Sequence, residues 1–266
     1  MTIWEEAIVA DLKGKVAWVT GGGSGIGESA ALALAKEGAT VALSGRRREP
    51  LQSVADRIAK AGGKATVAQG DMGEPDTPNK LAQSIAAEHG RLDILVNNAG
   101  ANITERRWRE LTPERIKYML DANLNSAFYC AAAALAVMRL QKDGLLIHTA
   151  SMAGRVVGLL SGPSYVAAKH GVVAMSHTIN MEEFMNGIRS TVICPGEVAT
   201  PILDRRPVPV SKEDRDRMVQ PEHVADLILY VAKLPASVCL NEILINPTWN
   251  RGYAVAAGVG PKITQG

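Results

Sequence analysis

Tyr165 and Lys169 lie four residues apart in Ser164-Tyr165-Val166-Ala167-Ala168-Lys169-His170-Gly171, a stretch of helical character. Four residues is about one helical turn, so the phenol and the ammonium share a face. A free phenol has a pKa of about 10 and is a poor base at neutral pH. A fixed positive charge beside it favours the phenolate and lowers that pKa. Tuned in this way, Tyr165 can give or take a proton at a carbonyl or alcohol oxygen. Moving its pKa towards neutrality takes about 4 kcal/mol, at roughly 1.36 kcal/mol per unit. Ser151 precedes Tyr165 by 14 residues of loop and helix start, enough for two hydroxyl donors to converge on one oxygen. The same Tyr–Lys spacing also occurs on solvated helices, so its meaning depends on the segments upstream.

Those segments read as a nucleotide-binding framework. Lys15 to Thr20 is a short apolar run that ends at Gly21-Gly22-Gly23-Ser24-Gly25-Ile26-Gly27, and Glu28 to Glu37 follows with helical composition. Strand, glycine turn and helix in that order form the first unit of a dinucleotide fold. Glycines there let a phosphate approach the amides at the helix N-terminus. The second strand, Thr40 to Ser44, runs into Gly45-Arg46-Arg47-Arg48 rather than into an acid. A guanidinium suits a ribose 2′-phosphate, so NADP(H) is favoured and NAD(H) remains open. Arg46, nearest the strand end, is the first candidate ligand and Arg47 the next. Three arginines in one turn are too few for a nucleic-acid surface.

Further strands are expected at Ala65–Gln69, Leu92–Val96, Gly144–His148, Ser190–Cys194 and Glu242–Ile245. Helices are expected at Pro50–Ala61, Thr77–His89 (with Thr77 as N-cap), Thr112–Leu140, Ser164–Met185 and Glu222–Lys233. Alternation throughout predicts an α/β fold of Rossmann type, a doubly wound parallel sheet with helices on both faces, in one domain. The charged, proline-bearing stretch 201–220 follows the sixth strand, where ligands bind in such sheets, and is a candidate lid. The glycine-bearing stretch 250–266 is a tail that docks or moves.

With Thr20-Gly21-x-x-x-Gly25-x-Gly27, Asn97-Asn98-Ala99-Gly100, Asn123, Ser151, Tyr165 and Lys169 in order, the chain resembles the short-chain dehydrogenase/reductases, in their compact single-domain branch. The resemblance covers roughly residues 12–248 and implies roles. Tyr165 is the general acid/base, Lys169 lowers its pKa and bonds the nicotinamide ribose, and Ser151 polarises the substrate oxygen. Asn123 sits on a helix kink and continues a proton relay through water. Gly21, Ser24, Gly25, Ile26 and Gly27 cradle the pyrophosphate. Asp71 and Met72 meet the adenine, and Asn98, Ala99 and Gly100 the adjacent ribose. Pro195, Gly196, Val198 and Thr200 border the nicotinamide. The expected reaction interconverts an alcohol and a carbonyl; the alternative is a non-catalytic dinucleotide sensor. The ending Asn241 to Thr248 lacks the Gly-Gly pair of many members and looks closer to those acting on small hydroxy acids or aldehydes. Arg106, Arg107, Arg205 and Arg206 are candidates to meet a substrate carboxylate. His148 and His170 read as packing residues or as supports behind the site, and not as catalytic groups.

The whole chain is consistent with such an enzyme. It has 266 residues, 47% hydrophobic content and a net charge of +2, which compels neither a nucleic-acid nor a membrane partner. Its three cysteines, Cys130, Cys194 and Cys239, have no paired spacing and suit a reducing compartment. The start, Met1 to Glu6, lacks a signal-peptide pattern, so a cytoplasmic location is expected. No metal-ligand spacing occurs. The apolar segments 127–140 and 166–175 imply helices buried in the core or against a second copy, hence a homodimer or homotetramer.

Overall fold

The computed structural model describes residues 11–206 and 209–259. Seven parallel strands form one sheet in the order β3-β2-β1-β4-β5-β6-β7. They are β1 (Val16–Thr20), β2 (Thr40–Ser44), β3 (Lys64–Val67), β4 (Ile94–Asn97), β5 (Gly144–Thr149), β6 (Ile188–Pro195) and β7 (Glu242–Ile245). The strand order reverses between β1 and β4, and a crevice opens there outside the carboxyl ends of the strands.

β1 explains why the strands read as continuous apolar runs. Successive side chains of a strand point to opposite faces. Ala17 and Val19 pack with α1 (Gly25–Lys36), α2 (Arg48–Lys60) and α8 (Pro221–Lys233). Val16 and Trp18 pack on the other face with α3 (Thr77–His89), α5 (Ser126–Gln141) and α6 (Pro163–Glu183). Both faces are dry, so Val16 to Val19 are all apolar, and only Thr20 at the strand end is polar. Trp18 is fully buried, and its indole N–H donates to Ser44 Oγ at 2.8 Å. Ser44 in turn donates to the Ala68 carbonyl at 2.7 Å, so neither polar group is stranded.

Several boundaries differ from the sequence expectation. α1 begins at Gly25, whose φ of +56° turns the chain out of the glycine loop and into the helix that Ile26 and Gly27 continue. The cap of α3 is Asp76, with Thr77 inside the helix and no side-chain capping bond. The single helix expected from Thr112 onward is α4 (Pro113–Leu120), a π turn (Asp121–Asn125) and α5. The stretch 201–220 holds a 3-10 turn (Pro201–Arg205) and α7 (Lys212–Asp216), packed through Leu203, Val210 and Met218. Pro207 and Val208 in that stretch lie outside the described residues. The tail is not plain coil. Its first part is α9 (Arg251–Ala256), capped by Asn250; residues 260–266 lie outside the description. No helix among the described residues is long and apolar enough to cross a membrane.

Candidate functional site

The crevice at the strand ends has two lobes that share Gly21, Ser24 and Gly100. Thr20, the last residue of β1, ties the turn after β4 to the glycine loop. Its Oγ1 accepts the Asn98 and Ala99 amides at 2.9 and 3.0 Å, and its carbonyl accepts from Asn98 Nδ2 at 3.3 Å. Gly27 lies beneath the turn rather than on its surface. A Cβ there would sit 2.3 Å from the Gly21 carbonyl oxygen, so only glycine lets α1 start this close to the turn.

The outer lobe is lined by Arg46 and Arg47 at the end of β2, by Asp71 and Met72, and by Ala99 beside Gly100. Asp71 Oδ1 accepts the Gly73 amide at 2.9 Å, which fixes the turn. Met72 is buried, and Arg46 and Arg47 are exposed. Arg48, the third of the run, is the first residue of α2 and does not face this lobe.

The inner lobe gathers Gly25, Ile26, Asn98, Asn123, Ser151, Tyr165, Lys169, Pro195, Gly196, Val198 and Thr200. β5 and the 3-10 turn after it (Met152–Gly154) bring up Ser151, whose Oγ caps that turn by accepting the Ala153 amide at 3.1 Å. α6 brings Tyr165 and Lys169 on one face, with Pro163 in its first turn. The π turn brings Asn123. Its Nδ2 donates to the Met119 and Ala101 carbonyls at 3.0 and 2.8 Å, and its Oδ1 accepts the Ala101 amide at 3.2 Å. The side chain thus takes up the carbonyl freed by the π turn and pins the strand exit that carries Gly100.

The electrostatics differ from the sequence expectation. Lys169 Nζ stands 5.6 Å from the centre of the Tyr165 ring and donates to the Thr149 carbonyl at 2.9 Å. Burial raises the Tyr165 phenol above its usual value; Ser151, Arg106 and Arg206 oppose that rise. Lys169 itself is pushed down to about 8 by burial. In the chain alone, then, Tyr165 is not made acidic by its helical neighbour, because the ammonium is turned to a carbonyl and is itself desolvated.

Of the four candidate arginines, Arg106 and Arg206 line the inner lobe, while Arg107 and Arg205 do not. Arg107 caps a short turn through its amide and Glu110. The Arg205 carbonyl accepts from Arg106. His148 is buried beside the site in register with Asn97, and its Nδ1 lies 3.2 Å from Asn97 Nδ2. His170 is exposed and meets the Val166 carbonyl of its own helix at 2.9 Å. Asn102 and Glu197 are among the lining residues that carried no sequence expectation. Asn102 donates to the Ser161 carbonyl at 3.3 Å, and its signal was its place just after Asn97-Asn98-Ala99-Gly100. Glu197 binds Arg206 and Arg251, each at 2.5 Å; as an acid directly after Pro195-Gly196 it was legible only by position.

A family model described as short chain dehydrogenase matches residues 15–208. A cyclohexanol dehydrogenase of Acinetobacter sp. (strain SE19) is 34% identical over 225 residues, covering 84% of this chain and 89% of the relative. The solved structure of a short-chain type dehydrogenase/reductase from Mycobacterium marinum is 30% identical with a TM-score of 0.80, covering 90% and 97% of the two chains. A metagenomic short-chain oxidoreductase solved in complex with NADP is 28% identical with a TM-score of 0.78, covering 91% and 100%.

Proposed function

The chain belongs to the short-chain dehydrogenases, and on that premise we propose that it interconverts an alcohol and a carbonyl compound with NADP(H), a small hydroxy acid or aldehyde being its substrate. The observation that carries this reading is the convergence of Tyr165, Lys169, Ser151 and Asn123 in one lobe. That lobe is continuous with a glycine turn at a helix N-terminus. A dinucleotide sensor has no use for that quartet.

The residues fit the cofactor. Gly21, Ser24, Gly25, Ile26 and the amides they carry suit a pyrophosphate at the start of α1. Arg46 and Arg47 are exposed beside the outer lobe and make no ion pair among the described residues, which suits a 2′-phosphate. Asp71 and Met72 would hold the adenine, Asn98, Ala99 and Gly100 the ribose, and Pro195, Gly196, Val198 and Thr200 the nicotinamide. The neighbour solved with NADP supports the same choice.

When bound, NADP(H) supplies or takes the hydride at the reacting carbon. Tyr165 gives its proton to the substrate oxygen as negative charge builds there, and takes it back in the reverse direction. Ser151 donates a hydrogen bond to the same oxygen. Lys169 orients the ribose and replenishes the proton, and Asn123 holds the relay behind it. The unit is one NAD(P)-binding domain with residues 201–220 as a lid over the inner lobe. It is cytoplasmic and works as a homodimer or homotetramer.

Calorimetric titration with NADPH and with NADH, on the wild type and on Tyr165→Phe, tests this reading. NADPH is expected to bind more tightly, and Arg46→Ala to narrow the gap. Tyr165→Phe is expected to lower kcat by at least about a hundredfold with little change in cofactor affinity. Binding of neither dinucleotide, or wild-type turnover in Tyr165→Phe, overturns it. Tighter NADH binding overturns only the cofactor choice.

A further inference from the structure

Arg106, 5% exposed, lines the inner lobe and not the outer one. Its stem is held by backbone. A Cβ on Gly162 would lie 2.7 Å from the Arg106 carbonyl oxygen and 2.8 Å from its Cβ, and Gly162 has φ +80°, so glycine is required there twice over. Its Nη1 donates to the Leu160 carbonyl at 3.3 Å and its Nη2 to the Arg205 carbonyl at 2.6 Å. Those two bonds use two of five N–H donors. Nε is buried with no partner, and the guanidinium forms no ion pair among the described residues.

A buried charge without a counterion is costly, and proteins normally pair it. The carboxylates around Arg106 are committed elsewhere. Glu197, the one acid lining the lobe among the described residues, is shared between Arg206 and Arg251. Glu110 accepts the Arg107 amide at 2.9 Å. The lobe therefore carries Arg106, Arg206 and Lys169 against a single acid. A surplus of fixed positive charge in a partly closed cleft selects anions.

We propose that the substrate is an oxo acid or hydroxy acid whose carboxylate pairs with Arg106 while its carbonyl or alcohol oxygen meets Ser151 and Tyr165. This rests on the functional reading above and decides between its two substrate types. In the reducing direction the ketone carbon gains a hydride from the reduced dinucleotide and its oxygen gains the Tyr165 proton. The carboxylate is unchanged and remains ion-paired. Arg106 acts as a specificity residue, and its two carbonyl bonds hold the guanidinium so that little order is lost on binding.

The test compares pyruvate, acetoacetate and levulinate with their methyl esters, using the wild-type enzyme with its reduced dinucleotide. At least one acid is expected to exceed its ester in kcat/KM by about tenfold or more. Arg106→Gln is expected to lower acid turnover about ten- to a hundredfold more than ester turnover, chiefly through KM, and Arg106→Lys to restore part of the difference. Esters equal to or better than their acids in the wild type overturn the proposal without involving any variant. Equal loss of acid and ester turnover in Arg106→Gln also overturns it, because Arg106 would then only tie its loops together. A wild-type chain that binds no dinucleotide fails the functional reading itself, and this proposal with it.

Discussion

Lys169 and His148 share one buried neighbourhood, and both are held less protonated than usual there. Burial lowers Lys169 to about 8. Burial first, then the Lys169 charge, lowers His148 to about 3. His148 accepts from Asn97 Nδ2 at Nδ1, which leaves the proton on Nε2, where it has no partner among the described residues. The folded value lies below the ordinary one of about 6.5. The unfolded chain therefore takes up a proton as pH falls through that value, and the folded chain does not until about pH 3. His148 thus favours the fold fully above about pH 6.5, and below it costs up to about 1.4 kcal/mol per pH unit. Removing the imidazole should flatten that slope. Denaturant unfolding of His148→Gln, measured at about pH 7 and about pH 5, is expected to lose less stability across the interval than the wild type. Equal losses would mean that His148 titrates as an ordinary histidine. The Tyr165–Lys169 pair teaches a related point. Helical spacing placed both side chains on one face, but the sequence carries no sign of the Thr149 carbonyl that takes the ammonium.

The parts of the site are brought together by elements whose contacts are tighter than an ordinary side chain permits. The 3-10 turn that carries Ser151 rests on α6 at Gly154. A Cβ on Gly154 would lie 2.6 Å from the Lys169 carbonyl oxygen and 3.1 Å from a Val173 methyl. Backbone cannot yield by that much, so Gly154→Ala should lift the turn and draw Ser151 away from Tyr165. A displacement of this kind costs about ten- to a hundredfold in turnover. We expect kcat to fall by that amount, dinucleotide affinity to stay within about twofold, and the circular dichroism to be unchanged. A kcat within about twofold of wild type would show that the Gly154 contact does not set the Ser151–Tyr165 geometry. Element type and order were legible in the sequence, because strands buried on both faces and amphipathic helices leave distinct periods. The second strand, Thr40–Ser44, and the last, Glu242–Ile245, fall where expected. The π turn at Asp121–Asn125 was not legible in local composition, since one extra residue in a helical turn leaves it unchanged; only the family resemblance put a kink at Asn123. The start at Gly25 was not legible because nothing local marks the φ of +56° with which this glycine leads the chain into α1.

Contacts across the whole chain were the least legible, because nothing local marks them. Glu197 pairs with Arg206 and with Arg251, which lies 54 residues away. One carboxylate thereby ties the loop after β6, the stretch above the inner lobe and the C-terminal helix α9 into a single node. Assembly is the remaining question at this scale. The apolar composition of α5 implies burial in the core or against a second copy, and within one chain part of the helix is left exposed. Phe128, Ala132, Ala136 and Leu140 form an exposed stripe at four-residue intervals, with Leu140 87% and Phe128 47% exposed. On α6 Ala167, Ala174 and Met181 are exposed along with the polar His170 and Thr178, so its outer face is mixed. Rows of alanine let two helices approach closely, and an apolar face of this kind on an isolated monomer marks an interface. A patch that pairs with itself across a two-fold axis gives a closed dimer, and two such patches give a tetramer. Light scattering at micromolar concentration is expected to give a dimer or tetramer mass. Ala136→Glu places a charge in the middle of the α5 stripe and is expected to shift the protein towards monomer while leaving its dinucleotide affinity intact, because that stripe lines neither lobe of the crevice. A wild-type monomer would rule out this interface and leave the apolar stripe of α5 without an assigned partner.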